Sequence, residues 1–159
     1  MSAAASVAAP APLEALQQLA LAQAIRTSVW AFPLLEIVHI AALAAMFGSV
    51  LMVELRVFGL ARALPLPALG RLGAAVGVSA LVVIVASGSL MFLTDAAGYA
   101  GNRAFVVKLV LIAAAATNMV AFHARGSLQR TDRVAKLQAA VSLLLWLAVI
   151  AAGRLIAYV

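Results

Sequence analysis

Residues 34–55 read LLEIVHIAALAAMFGSVLMVEL, and the solvent that this stretch meets decides the fold. As an α-helix these residues extend about 33 Å, enough to cross a hydrocarbon layer of about 30 Å. Yet Glu36 and His39 stand near one end and Glu54 at the other. The chain around them is 67% hydrophobic and 10% charged. A soluble domain is about half apolar and about a quarter charged, so lipid must be the solvent for much of this surface.

Working outward, four apolar stretches stand at about 33–56, 72–93, 104–123 and 137–158. Each is long enough to span a bilayer. Short loops between them predict antiparallel neighbours. The fold expected is all-α: a four-helix transmembrane bundle in one membrane domain, 13–159, with a short N-terminal interfacial helix. That helix is read at 13–27, LEALQQLALAQAIRT, too short and polar to span and suited to a membrane surface. Trp30 and Phe32 follow as interfacial anchors, and Pro33 suits a first helical turn. Residues 1–12, MSAAASVAAPAP, read as a disordered lead without the pattern of a signal peptide. Glycine and serine within the first two spans (Gly48, Ser49, Gly73, Gly77, Ser87, Gly88) predict close helix approach.

The chain has no cysteine, which excludes disulfides, thiolate metal sites and cysteine nucleophiles. Its formal charge of +6 lies mostly in two loops. Arg56, Arg62 and Arg71 follow the first span; Arg125, Arg130, Arg133 and Lys136 follow the third. Arg26, Arg103, Lys108 and Arg154 lie on the other side. The positive-inside rule then makes the two basic loops cytoplasmic and puts both termini outside. It also accounts for the charge without nucleic acid, and makes the lipid bilayer the first partner.

The ionisable groups in the spans are the functional candidates. Glu36 sits near a helix N-terminus and Arg154 near a helix C-terminus, each matched to the local helix dipole. At similar depth they are candidates to pair, or to reach separately for headgroups and water. His39 lies one turn from Glu36 on nearly the same face, and Met46 two turns below. Three readings of His39 stand open: a neutral hydrogen-bonded histidine in the bundle, a metal or haem ligand, or a proton carrier. The cofactors that fit are haem b or copper. A helical di-metal site needs the Glu-x-x-His pair twice, and here it occurs once.

His123 is the other ligand candidate, though beside Arg125 it also reads as an interfacial histidine. His39 and His123 differ by about 20 Å in depth, so they cannot clamp one haem; one axial histidine per haem, or a ligand from another subunit, stays open. Glu54 and Arg56 close the first span. Glu36 and Glu54 share a stripe that is expected to face protein. Asn118 is expected to hydrogen-bond to another helix. Lys108 completes an outer polar group with Glu36, His39 and Arg154, over which Tyr99 and Asn102 are placed to close.

No phosphate loop, Ser-His-Asp pattern or HExxH motif is present, and no repeat marks a transporter. Three functional classes remain. A non-catalytic membrane protein would hold a metal, haem or small ligand for a partner redox system. A structural or assembly subunit would use these groups only to fix packing with a membrane partner or a second copy. A small proton-coupled carrier would need an oligomer.

From Ala24 onward the chain resembles a family of small four-span bacterial inner-membrane proteins described only as a domain of unknown function. AIRTSVWAFPLLEIVHI, VELRVFGL, GNRAFVVKLVLIAAAATNMVAFH and SLLLWLAVIAAGRLIAY carry the resemblance. Its pattern falls on Ser28 to Pro33, Glu36, His39, Glu54 to Arg56, Asn102, Phe105, Lys108, Asn118, Phe122, His123, Gly153, Arg154 and Tyr158. Glu54 departs from it, since the family more usually has Asp there. The resemblance implies four spans in a bacterial inner membrane and no particular activity. A looser likeness, to copper-resistance and haem-carrying four-helix membrane modules, is one of fold alone.

Overall fold

A computed structural model describes residues 11–158. Among them there are helices and no strand: α1 (Ala11–Gln17), α2 (Ala20–Thr27), α3 (Ala31–Phe58), α4 (Leu66–Thr94), α5 (Ala96–Gly101), α6 (Arg103–Ala124), α7 (Ser127–Arg130) and α8 (Arg133–Leu155). The four long ones, α3, α4, α6 and α8, are each long and apolar enough to cross a membrane.

Local chemistry sets their ends. The Ser28 hydroxyl accepts from Ala31 N–H at 3.2 Å and starts α3. Gly59 stops it at φ 101°, a left-handed conformation that glycine adopts without a Cβ penalty. Leu60 N–H then bonds back to Leu55 C=O at 3.0 Å, a Schellman closure. Side-chain caps start the later helices: Asp95 accepts from Gly98 N–H at 3.2 Å, Asn102 from Phe105 N–H at 3.1 Å, and Asp132 from Ala135 N–H at 2.9 Å.

Several expected boundaries differ. The surface helix is two helices, because Leu19 is extended (ψ 137°) and breaks the run. Pro12, expected in the lead, is inside α1; the rest of that lead through residue 10 lies outside the described residues. The second span begins at Leu66 rather than 72, because Pro67 sits in its first turn, where its missing N–H removes no helical bond. Arg71 is therefore helical and not in a loop. The Asp132 cap starts α8 at Arg133, and Tyr158 falls beyond its end at Leu155.

Antiparallel pairs α3–α4 and α6–α8 join through α3 against α8. The α3–α4 pair is close because its contact is made of small residues. A Cβ added at Gly73 would stand 2.8 Å from Val53 Cγ2, and one at Gly77 would stand 3.1 Å from Ser49 Oγ. The middle of the bundle is apolar: Met46, Ala80, Ala115, Trp146 and Val149. A second cluster of Val57, Leu66, Phe122, Ala135 and Ala139 closes the end that carries α7, here the α7 end. At the opposite, α5 end the rings of Phe92, Tyr99 and Phe105 meet at 5.5–6.2 Å. There α1 and α2 dock on α4 and α5, through Gln17 Nε2 to Asp95 at 3.2 Å and Arg26 Nη1 to Thr94 C=O at 3.5 Å. The outward faces keep large apolar side chains, with Leu144 67% and Val82 64% exposed. Water would penalise such a surface at about 25 cal/mol per Å², whereas lipid does not.

Candidate functional site

The polar group around His39 and Lys108 lies at the α5 end, about two turns into the spans. His39 leaves α3 toward α4. Gly88 makes room for it, since a Cβ there would stand 3.2 Å from the imidazole Cε1. His39 Nδ1 is 2.9 Å from Ser87 Oγ. The Ser87 hydroxyl already donates to Val83 C=O at 2.6 Å. A hydroxyl has one proton, so Oγ acts as acceptor to the ring and Nδ1–H is the donor. That leaves Nε2 with a lone pair for another group.

Lys108 approaches from α6, close enough for its charge to act on the His39 ring. Its stem packs over Gly153 of α8, where a Cβ would stand 3.6 Å from Nζ. Lys108 is half-buried, and among the described residues neither an ion pair nor a hydrogen bond engages its ammonium. A cation at this depth with no acceptor is the unusual feature of the site.

The other candidates divide. Glu36 is exposed and forms no ion pair with Arg154; Arg125–Asp132 at 2.6 Å is the ion pair found among the described residues. Arg154 instead donates to the Tyr158 hydroxyl at 2.5 Å and lies 4.9 Å over its ring centroid. Tyr99 stands near the carboxylates of Asp95 and Glu36; burial first, and then these charges, push its phenol above the ordinary range. Asn102 caps α6 and donates to Ile156 C=O at 3.1 Å, so it ties α6 to the end of α8. Met46 is in the apolar core, 4% exposed. His123 is exposed at the far end of α6, where its Nδ1–H donates to Met119 C=O at 2.9 Å. Asn118 donates to Gln138 C=O on α8 at 2.9 Å. Arg56 holds the following loop, donating to Leu64 C=O at 2.9 Å and to Arg62 C=O at 3.3 Å. The stripe joining Glu36 and Glu54 does not face protein throughout: Glu36 is exposed and Glu54 only 6% exposed.

Sequence reasoning missed Ser87 as the partner of His39, and missed Gly88 and Gly153 as the positions that admit the two polar side chains. The signal was the glycines themselves, which stand at lipid depth where helix formers are otherwise preferred. Among the described residues no three His, Asp or Glu side chains converge as a metal-ligand set.

Fold and site together define a multi-pass integral membrane protein with His39 and Lys108 as half-buried polar groups within an apolar bundle. No family model, curated protein or solved structure matches the chain.

Proposed function

We propose that this protein is non-catalytic and that His39 and Lys108 hold a small ligand bearing a carboxylate or carbonyl oxygen, in the service of a membrane redox partner. The observation that carries the reading is the Lys108 ammonium, which no acceptor among the described residues engages. An anionic or carbonyl oxygen would satisfy it, while His39 Nε2 offers a lone pair beside it. A bare copper ion fits less well, because the Lys108 charge repels it and no group of three His, Asp or Glu ligands stands among the described residues. A haem propionate or a quinone carbonyl has the required chemistry. The ring cluster of Phe92, Tyr99 and Phe105 offers a flat apolar group a neighbouring surface.

The basic α7 end lies on the cytoplasmic side of a bacterial inner membrane in this reading, and the polar pair in the outer half. The charge bias of the loops supports that orientation. Membership of the four-span bacterial inner-membrane family is part of the same proposal, and the four long apolar helices support the membrane.

Packing over Gly88 and Gly153 favours a second reading, a structural or assembly subunit in which the pair only fixes helix positions. Lys108→Met separates the two, because methionine keeps most of the stem and removes the charge. The ligand reading expects the variant to lose any retained ligand and to melt at or above the temperature of ligand-stripped wild type. The structural reading expects a looser bundle, with a lower melting temperature in the same lipid.

A further inference from the structure

A second polar group lies at the opposite end of the bundle, about 22 Å along α3 from His39. Glu54 is 6% exposed, and among the described residues its Oε2 has no hydrogen-bond partner. The Ser142 hydroxyl of α8 reaches the carboxyl. We propose that Glu54 is a proton-binding site that exchanges with the α7 end of the bundle through Ser142, Gln138 and Ser127. It goes beyond the His39–Lys108 reading and does not depend on it.

The argument begins with charge. An ionised carboxylate in this position needs a cation or several donors, because burial without them carries a penalty of several kcal/mol. Among the described residues no cation supplies this. Arg56, two residues along α3, is committed to the carbonyls of Leu64 and Arg62. Arg71 of α4, Arg130 of α7, and Arg133 and Lys136 of α8 are exposed. On α6, His123 is exposed and engaged with Met119 C=O. Arg125 is paired with Asp132. A proton bound on the carboxyl removes the charge and needs no partner ion.

Polar side chains of α8 and α7 stand between the carboxyl and the α7 end, beside the apolar cluster of Val57 and Phe122. Ser142 and Gln138 are four residues apart on one face of α8. Gln138 Oε1 accepts from Ser127 Oγ at 2.7 Å, and Arg125 donates to Ser127 Oγ at 3.3 Å. In the other direction Met46, Ala80 and Trp146 form an apolar block between Glu54 and His39. Polar side chains therefore favour exchange with the α7 end over the His39 end. The exchange balances: a hydronium ion at the α7 end gives up one proton and becomes water, a carboxylate oxygen gains that proton as an O–H bond, and release is the reverse.

Dicyclohexylcarbodiimide tests this. It is apolar, and it reacts with a carboxyl that can transfer its proton to a carbodiimide nitrogen. The full-length protein in phosphatidylethanolamine–phosphatidylglycerol vesicles would be treated across a pH series and its adducts mapped by peptide mass spectrometry. The proposal expects an adduct on Glu54 at pH 7 in clear excess of that on the exposed Glu36. It expects this adduct to decline as pH rises, to vanish in Glu54→Gln, and to change its pH midpoint in Ser142→Ala. Glu54 unlabelled at every pH in wild-type protein of undiminished helical circular dichroism, or labelled no more than Glu36, overturns it. The wild-type map decides even if a variant fails to fold.

Discussion

Ser87 shows how one hydroxyl sets a site. Its proton goes to Val83 C=O, so its oxygen fixes which His39 nitrogen is free. Ser87→Ala removes that constraint and lets the ring turn. The expected outcome is a histidine that changes tautomer or samples both, read as a shift or doubling of the His39 imidazole nitrogen resonances. At the α7 end, the Arg125 guanidinium and then Ala135 N–H hold the Asp132 carboxyl well below the usual carboxylate range. A carboxyl lowered in this way stabilises the fold above its ordinary value of 3.8, and the contribution fades as pH falls below that. The first turn of α8 should therefore fray in acid. Asp132→Ala should bring about the same fraying at neutral pH, read by hydrogen exchange at Ala135 and Lys136.

At the scale of the element, the α3–α4 contact depends on absent side chains. Gly73→Ala places a methyl against Val53 and should destabilise the hairpin by about 1–3 kcal/mol, measured as a lower unfolding midpoint in detergent. Gly48, with nothing within 4 Å of an added Cβ, should accept alanine without loss. On the other hairpin, Asn118→Ala removes the bond to Gln138 C=O and should destabilise by about 1 kcal/mol in the same assay. The four long helices were legible in the sequence because apolar length is a strong signal. Their ends were not, because they depend on Pro67 and Asp132, which act through local geometry that hydropathy does not register. The candidate site was legible only in its polar members. His39 and Lys108 stand out at lipid depth, but that they approach one another depends on how α3 and α6 are rotated within the bundle, which no local pattern specifies. Glu36 and Arg154, matched in depth and charge, do not meet for the same reason.

The whole molecule is an apolar block with one polar group near each end. The His39–Lys108 pair lies toward the α5 end, Glu54 lies toward the α7 end, and the Met46–Trp146 core separates them. This arrangement suits a protein that presents different chemistry to the two sides of a membrane. The orientation proposed from the basic loops has its own check. A reporter active only outside the cytoplasm should work when fused after Val159 and fail when inserted between α3 and α4. The account's central claim, that Lys108 and His39 hold an organic acceptor, is tested most directly on wild-type protein extracted with its native lipid. Its absorption spectrum, oxidised and then dithionite-reduced, would be read together with mass spectrometry of an organic extract of the same sample. The account predicts a stoichiometric haem or quinone-class compound that Lys108→Met no longer retains. A colourless protein whose extract contains only bulk lipid, from wild type and variant alike, would contradict it.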